Sequence, residues 1–227
     1  MFRKYYNKYW DKCSPSPHFF WKKELIEKYV GKKNNILDLG CGKFSLVREF
    51  ESKNVVGLDI SDMALRGTDL KIGKMLGDIN DRLPFKNKTF DVVLLVDVLE
   101  HILDPIFVVK EAKRIVKKDG LIIFSVPNSF NLLNRLYFLS GKNKEITGSC
   151  APKELFHDHI RMFSKEILEG LIEKEKLKFV AKHFYIPKNF RENKKLETYG
   201  KIVSFLKLHE AMPSLFALSF FYVTKAL

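Results

Sequence analysis

Short apolar runs alternate with amphipathic stretches through the middle of the chain. Four runs have the length and content of buried strands, at residues 35–40, 54–59, 90–96 and 121–126. The intervals between them are long enough for crossover helices, and strands joined in that way pair in parallel and are covered on both faces. The sequence therefore predicts an open α/β sheet.

The remaining segments predict the helices and the edge of that sheet. Apolar positions within Phe19–Val30 recur near helical spacing, and Gly31 follows as a stop. Gly120 is expected to form the turn after a later helix. Helices are expected over residues 44–52, 106–116 and 164–175, and final strands over residues 177–185 and 218–224, with a basic insertion of helical centre at residues 187–213 between them.

Composition and cysteine usage exclude several classes of protein. Hydrophobic residues make up 46% and charged residues 30% of the 227 positions, as in a water-soluble globular domain. The longest apolar stretch, residues 211–223, is too short to span a bilayer and contains Pro213. Cys13, Cys41 and Cys150 share no CxxC spacing, which argues against a disulfide framework and a structural zinc site. We expect a reducing, cytoplasmic location, with peripheral attachment to a membrane as an open alternative.

The net charge of +13 is concentrated at the two flanks of the chain. Residues 1–33 hold 9 Lys/Arg against 3 Asp/Glu, residues 34–127 hold 14 against 14, and residues 128–227 hold 17 against 10. Such an excess can line solvated helix faces. It can also face an anionic partner, such as an acidic small molecule, a nucleic acid or a membrane surface.

A glycine-rich segment follows the first predicted strand, where open α/β sheets bind their ligands. Gly40 and Gly42 let the backbone approach a ligand without an intervening Cβ, and Asp38 can accept a hydrogen bond from a cationic group. Asp59 ends the second strand, the position at which an acidic side chain binds ribose hydroxyls. Its alternative role is that of a turn carboxylate. The pattern predicts a nucleotide pocket.

Two further positions separate the classes of cofactor. The dinucleotide fingerprint requires a third glycine where this chain has Ser45, which disfavours NAD. Asp78 precedes the strand at residues 90–96, where its carboxylate can accept a hydrogen bond from an adenine amino group. The pocket therefore suits an adenosine-containing cofactor other than a dinucleotide.

The motifs of residues 34–128, in their order and spacing, resemble the class I S-adenosylmethionine-dependent methyltransferases, particularly the branch that methylates ubiquinone precursors and other small molecules. They are Ile36-Leu-Asp-Leu-Gly-Cys-Gly, Val56-Gly-Leu-Asp-Ile-Ser, Gly77-Asp-Ile, Leu83-Pro-Phe, Phe90-Asp-Val-Val, Leu99-Glu-His, Asp104-Pro and Gly120-Leu-Ile-Ile-Phe-Ser-Val-Pro-Asn. The resemblance implies a Rossmann-like fold with a mostly parallel seven-stranded sheet, helices on both faces and an antiparallel last strand. It implies one domain: a helical cap (1–33), a cofactor-binding core (34–128) and substrate-side elements (129–227).

The resemblance also implies the cofactor, S-adenosylmethionine, and the residues that hold it. Gly40 and Gly42 would line its methionine and ribose part, while Asp59 would bind the ribose hydroxyls. The family often has a third glycine where Phe44 stands here, and Phe44 could narrow the pocket. The complete expected set is Asp38, Gly40, Cys41, Gly42, Asp59, Ile60, Asp78, Ile79 and Val96, with Cys41 as a small packing residue rather than a nucleophile.

Methyl transfer from a sulfonium is an in-line displacement, so much of the catalysis can come from alignment alone. If the acceptor is a hydroxyl or an ammonium, His101 is the candidate base, as against a helix cap or a cofactor contact. Asp97, Glu100 and His101 have a spacing that on a helix could bind a divalent ion. Candidates for the substrate side are Asn128, His159 and Arg161, the last two alternatively tying down a loop, and Tyr5, Tyr6, Tyr9 and Trp10 could form a lid or a hydrophobic strap.

The leading interpretation is methylation of a small molecule that is anionic, isoprenoid or sugar-linked, with S-adenosylhomocysteine as the second product. The acceptor atom is not readable from the sequence. An RNA methyltransferase that uses the basic flanks for phosphate contacts is the second interpretation. A binding protein that kept the cofactor fold without turnover, placed at a membrane surface, is the third.

Overall fold

The computed structural model describes residues 2–12, 19–32, 35–47, 50, 54–68, 73–141, 159–186 and 194–227. Within these ranges the chain alternates helices and strands. The strands are β1 (Asn35–Leu39), β2 (Asn54–Asp59), β3 (Gly73–Leu76), β4 (Phe90–Val96), β5 (Val116–Pro127), β6 (Lys178–Tyr185) and β7 (Ser219–Lys225). The helices are α1 (Phe2–Lys12), α2 (Phe19–Val30), α3 (Asp62–Gly67), α4 (Pro105–Ile115), α5 (Leu132–Leu139), α6 (Lys165–Lys174), α7 (Lys194–Phe205), α8 (Leu208–Ala211) and α9 (Pro213–Phe216).

The strands form one sheet of seven, in the order β3-β2-β1-β4-β5-β7-β6. The five strands from β3 to β5 pair in parallel, and β7 runs antiparallel to both β5 and β6. The chain proceeds outward from β1 through β2 to β3, then returns to β4 and proceeds the other way. This reversal beside β1 is the switch point at which open sheets bind their ligands. The Rossmann-like fold with a late antiparallel strand is confirmed.

Both faces of the central strands are covered, which explains why β1 and β4 are apolar at nearly every position. In β4, Val92 and Leu94 face the side that α2 covers, while Val93 and Leu95 face the side of α4 and α6. All four side chains are fully buried. Polar side chains are consequently displaced to the ends of the strands, where the loops begin.

Some local expectations were wrong. Residues 43–47 form bends and turns, so no helix begins at residue 44, and residues 48, 49 and 51–53 lie outside the described ranges. Gly120 lies inside β5 rather than in a turn after α4, because β5 starts directly at Val116. The short elements β3, α3 and α5 were not anticipated. The basic insertion does have a helical centre, α7, while residues 187–193 lie outside the described ranges.

None of the described helices is long and apolar enough to cross a membrane.

One ion pair on α4 fixes the loop that leads into β4. Arg114 donates from Nη2 to Glu111 Oε2 at 2.7 Å, and from Nη1 and Nη2 to the carbonyls of Phe85 (2.8 Å) and Leu83 (3.0 Å). Glu111 Oε2 also accepts from the Leu83 N–H at 2.9 Å. The Leu83-Pro-Phe segment is thus held against α4 by both its N–H and its carbonyl groups.

Removing the Arg114 guanidinium should destabilise the fold. In Arg114→Met the carbonyls of Leu83 and Phe85 and the Glu111 carboxylate lose the hydrogen bonds and the charge that Arg114 supplies, and we expect a loss of about 2–3 kcal/mol in the free energy of unfolding. Lys110→Met, at an exposed position of the same helix, should change it by less than about 0.5 kcal/mol. Urea denaturation of both variants measures this difference. Equal stabilities would show that the ion pair does not hold the loop.

Candidate active site

The glycine loop lies at the carboxyl end of β1 in the conformation that only glycine adopts freely. Gly40 (φ +69°) and Gly42 (φ +58°) both have left-handed backbone angles. The N–H groups of Gly40 and Cys41 both donate to the carbonyl of Leu58, at 2.7 and 3.1 Å. These bonds tie the loop to the end of β2 and bring the ends of the two strands together.

Asp38, near the end of β1, is almost completely buried. Its Oδ2 accepts a hydrogen bond from Ser45 Oγ at 2.6 Å. Burial raises the pKa of the Asp38 carboxyl to about 7, against the lowering effect of the Ser45 bond and with a further rise caused by the nearby Asp59. Ser45, where a dinucleotide site has glycine, therefore serves Asp38. Its sequence position alone did not indicate this role.

Asp59, at the end of β2, is buried beside the glycine loop. Its Oδ2 accepts from the Gly42 N–H and its Oδ1 from the Ser61 N–H, each at 2.8 Å. Burial raises the pKa of this carboxyl to about 6, although backbone N–H groups of Ser61, Gly42 and Ile60 lower it. The structure thus brings Asp38, Asp59 and the two glycines together, with half-buried Ile60 following Asp59.

The next loop along the same edge contains Asp78 and Ile79. Asp78 Oδ1 accepts from both the backbone N–H (2.9 Å) and the side-chain amide (2.8 Å) of Asn80, and Ile79 is largely buried in the core. Asn80 Oδ1 in turn accepts from the Leu103 N–H at 3.2 Å. Asn80 was not singled out from the sequence, although it links the Asp78 loop to the segment after β4.

The end of β4 carries a buried ion pair that the sequence did not reveal. Asp97 follows half-buried Val96 with a left-handed backbone (φ +54°), so it does not share a helix face with Glu100 and His101 as the spacing suggested. Its carboxylate pairs with Lys22 Nζ and accepts from Ser125 Oγ at 3.1 Å. Only 2% of the Lys22 side chain is exposed, against 33% of that of Asp97. A charged pair therefore fastens α2 to the edge of the sheet.

Beyond Asp97, a short 3₁₀ turn (Leu99–His101) places two ionisable side chains beside a third from a distant segment. The backbone N–H groups of Ile160 and Arg161 both donate to the Glu100 carbonyl at 3.0 Å. These bonds bring the ring of His159 to 5.0 Å from that of His101, centroid to centroid. One ligand atom from each of Glu100, His101 and His159 lies within 4.8 Å of the others.

Glu100 is the most buried member of this cluster. Its side chain is 1% exposed, and its Oε2 has no hydrogen-bond partner among the described residues. Burial raises the pKa of the Glu100 carboxyl well above its usual range, with a further rise caused by Asp97 that the charges of His159 and Lys22 partly offset. Burial therefore favours the protonated form of Glu100, or its carboxylate form with a cation bound.

The other two predicted substrate-side residues use their side chains within the protein. Arg161 donates to the carbonyls of Ile102 and Leu103, which is the loop-fastening arrangement. Asn128 is fully buried and donates from Nδ2 to the Ala217 carbonyl at 2.8 Å. A direct contact of either residue with a substrate stays a prediction.

Cys41 is a buried free thiol that packs with Leu65. Burial, followed by the charges of Asp38 and Asp59, raises its pKa well above the ordinary value for a thiol. A thiol of this kind is a poor nucleophile at neutral pH.

The N-terminal helix α1 lies over both parts of this edge. The Trp10 ring packs against Gly42 and lies 6.4 Å from the ring of Phe44, while the Tyr6 ring lies 6.2 Å from that of His101. Phe44 therefore contacts the helix that covers the glycine loop. The basic insertion carries part of the flanking charge, and its residues 187–193 lie outside the described ranges.

A basic cleft of about 470 Å³ lies at the opposite edge of the sheet, near the start of β4 and β5. Its charge comes from the central part of the chain, whose sum is zero. The cationic residues that line it are Lys88, Lys110, Lys113, Arg114, Lys117 and Lys118. This concentration of charge is remote from the glycine loop, so the cleft is not part of the candidate active site.

Comparison with known proteins places the chain in a family. Residues 37–124 match a family described as a methyltransferase domain. A Methanocaldococcus jannaschii protein of uncharacterized function is 36% identical over 55% of this chain and 59% of its own length, so the match spans less than two thirds of that relative. A ubiquinone biosynthesis O-methyltransferase of Vibrio parahaemolyticus is 30% identical over 68% of this chain and 67% of its own length.

The fold agrees with these sequence similarities. A crystal structure of an S-adenosylmethionine-dependent methyltransferase from Archaeoglobus fulgidus superposes with a TM-score of 0.62, at 18% identity, over 91% of this chain and 94% of that one. Together with the glycine loop between β1 and β2, the matches show that this chain belongs to the class I S-adenosylmethionine-dependent methyltransferases.

Proposed function

We propose that this methyltransferase transfers a methyl group to a hydroxyl of an anionic small molecule, with its cofactor between Asp38 and His101. The observation that carries the proposal is the cluster of Glu100, His101 and His159 at the end of β4. It lies at the same edge of the sheet as the glycine loop, and Val98, two residues before Glu100, packs against Gly40. The similarity to the Vibrio O-methyltransferase supports an oxygen acceptor.

The residues at the ends of β1 and β2 fit S-adenosylmethionine. When bound, this cofactor supplies an activated methyl group on a sulfonium. Asp38 and Asp59 are carboxylates held out of water, and a ligand that brings positive charge and hydroxyl donors would compensate their burial. In the proposed arrangement Asp59 accepts from the ribose hydroxyls, Ile60 and Ile79 pack on the adenine, and Asp78 accepts from its amino group. Gly40, Gly42 and Val96 line the remaining wall.

His101 is the proposed general base. A hydroxyl must lose its proton as it is methylated, and an imidazole can take that proton near neutral pH. The neighbouring His159 and the Tyr6 ring hold the His101 imidazole in place. The alignment of donor and acceptor supplies the rest of the catalysis, as expected for an in-line displacement.

A divalent cation is the second candidate role for the same cluster, favoured by the unpartnered Oε2 of Glu100. Two imidazoles and one carboxylate suit zinc, manganese, iron or cobalt better than magnesium, which prefers oxygen ligands. Such a cation would lower the pKa of a bound hydroxyl, and His101 would then be a ligand rather than the base.

The flanks of the chain support an acidic acceptor. The charge excess lies in residues 1–33 and 128–227. Elements of both segments, α1 and the stretch around His159, lie beside His101. A carboxylate or phosphate on the acceptor would be attracted to such flanks, and this attraction should weaken as salt screens it.

The first prediction for the proposed function concerns binding of the cofactor. Isothermal titration should show binding of S-adenosylmethionine and S-adenosylhomocysteine and none of NAD. Asp59→Ala should weaken binding of both adenosyl ligands by about 1.5–3 kcal/mol, because hydrogen bonds to a charged group are lost. Lys110→Met, at the opposite edge, is the control and should bind as the wild type does. An unchanged dissociation constant in folded Asp59→Ala would remove Asp59 from the site.

The second prediction concerns pH. Asp38 and Asp59 have pKa values raised to about 7 and about 6, so protons occupy them progressively as the pH falls. The ionised forms bind the cofactor, and affinity should therefore fall on the order of a hundredfold from pH 8 to pH 5.5. Asp38→Asn should bind more weakly at pH 8 and lose most of this dependence, which separates it from titration of the ligand itself. A pH-independent affinity in the wild type would contradict the assignment.

The third prediction tests His101 and the cation together. With methyl-labelled cofactor and a panel of hydroxyl-bearing carboxylic acids and phosphates, His101→Gln should lose about 10²- to 10⁴-fold in turnover while still binding S-adenosylhomocysteine. If His101 acts alone, protein dialysed against EDTA keeps its activity. If a cation is used, dialysis abolishes activity, Mn²⁺ or Co²⁺ restores it, and Glu100→Gln prevents the visible absorption of bound Co²⁺. Full turnover by His101→Gln would exclude both roles.

A further inference from the structure

One side of α1 packs against the ends of β1 and β2, and part of its remaining surface is exposed. Arg3, Tyr6, Asn7 and Trp10 are spaced i, i+3, i+4 and i+7, which places them on one side of the helix. Lys4 lies on the other side and is exposed. The docking face contains a basic, an amide and two aromatic side chains, a mixture that can contact both backbone and ring surfaces.

Asn7 joins α1 to the turn that follows Asp59. Its Oδ1 accepts from Ser61 Oγ at 2.6 Å, and its Nδ2 donates to Asp62 Oδ1 at 2.8 Å. Arg3 Nε pairs with the same oxygen of Asp62 at 3.2 Å. The Asn7 bond, followed by the charge and hydrogen bond of Arg3, lowers the pKa of Asp62. The amide of Asn7 thus holds the first residues of α3.

Trp10 joins α1 to the glycine loop. Its six-membered ring occupies the space that a Cβ on Gly42 would need, so the indole lies directly against the backbone of the loop. The Gly42 N–H donates to Asp59 Oδ2, and the Ser61 N–H donates to Asp59 Oδ1. The contacts of Asn7 and Trp10 therefore converge on one carboxylate, from the two backbone groups that orient it.

We propose that Asn7 and Trp10 are positioning residues of the cofactor site, which hold Ser61 and Gly42 so that Asp59 is oriented toward the ligand's ribose diol. The inference rests on the proposed function, because it takes Asp59 as the group that binds this diol. It also assigns α1 as a wall of the cofactor site, not solely a cover for the acceptor. Because Tyr6 on the same face contacts His101, the helix borders both sites.

This arrangement has a kinetic consequence. A ligand beneath the loop of Gly42 and the turn of Ser61 is enclosed on the side where α1 lies. Weakening the docking of α1 should therefore speed ligand dissociation as well as lower affinity. A residue that served only to stabilise the fold would change thermal stability without altering the dissociation rate of the ligand in the folded protein.

The test uses S-adenosylhomocysteine as the probe on the full chain. Asn7→Ala and Trp10→Ala should each raise its dissociation constant about tenfold, as loss of one or two hydrogen bonds or of a half-buried ring predicts, and should speed dissociation in stopped-flow mixing. Trp10→Phe, which keeps a ring against Gly42, should recover most of the affinity. Lys4→Ala, on the exposed face of the same helix, is the matched control and should bind within twofold of the wild type.

Fluorescence gives a second measurement that leaves the docking residues of α1 unchanged. The chain has two tryptophans, so Trp21→Phe leaves Trp10 as the single indole. Its emission should change when S-adenosylhomocysteine binds. Wild-type affinity in folded Asn7→Ala and Trp10→Ala, or an unchanged Trp10 emission in a protein that binds the probe, would overturn the inference. Failure of the wild type to bind the probe would instead overturn the proposed function on which it rests.

Discussion

Burial of two neighbouring carboxylates at the ends of β1 and β2 is the constraint on which the rest of the site depends. Asp38 and Asp59 lie out of water, and the nearby charge of Asp59 further disfavours ionisation of Asp38, because like charges in a poorly solvated space repel. The Gly40 to Gly42 turn makes the arrangement feasible, since its left-handed backbone directs the Gly42 N–H at Asp59. Ser45 does the same for Asp38 with a hydroxyl. The fold thus buries two carboxylates at a free-energy penalty, and a cationic, hydroxyl-bearing ligand would offset that penalty.

The end of β4 also contains a buried charge that depends on a nearby partner. Lys22 is a buried charge whose burial is tolerable because Asp97 is its partner. That pair occupies Asp97, so the ionisable groups that cluster beyond it are Glu100 and His101 of the 3₁₀ turn together with His159. Glu100 supplies its carbonyl to the segment that carries His159, and its carboxyl group to the cluster itself. One residue therefore serves both to assemble the site and to tune its electrostatics.

The glycine loop and the cluster of Glu100, His101 and His159 are packed against the same neighbouring elements. Val98 packs against Gly40 on one side, and α1 contacts both the Gly42 loop and His101 on the other. The glycine loop and the cluster at the end of β4 are thus connected by directly packed side chains. Such shared walls suit a reaction whose rate depends on the alignment of two ligands.

The sequence by itself determined the central strands and the position of the glycine loop at the end of β1, because these depend on local patterns. Continuous apolar runs at residues 35–40 and 90–96 indicate strands buried on both faces, and the glycine and aspartate spacing indicates which strand ends meet. The helix predicted to begin at residue 44 was wrong, because a turn that places Ser45 beside Asp38 lies there instead. The last two strands were found from their apolar patterns, whereas the short, exposed β3 lacked one.

Only the tertiary structure decided which distant groups share the acceptor edge. His159 reaches His101 because two backbone N–H groups bind the Glu100 carbonyl, and Lys22 reaches Asp97 because α2 crosses the sheet at that point. Spacing along the chain suggested Asp97 as a partner of Glu100 and His101, but its left-handed backbone and its ion pair turn it elsewhere. Contacts between residues far apart in sequence leave no periodic signal, since they depend on how the elements pack rather than on the order of neighbouring residues.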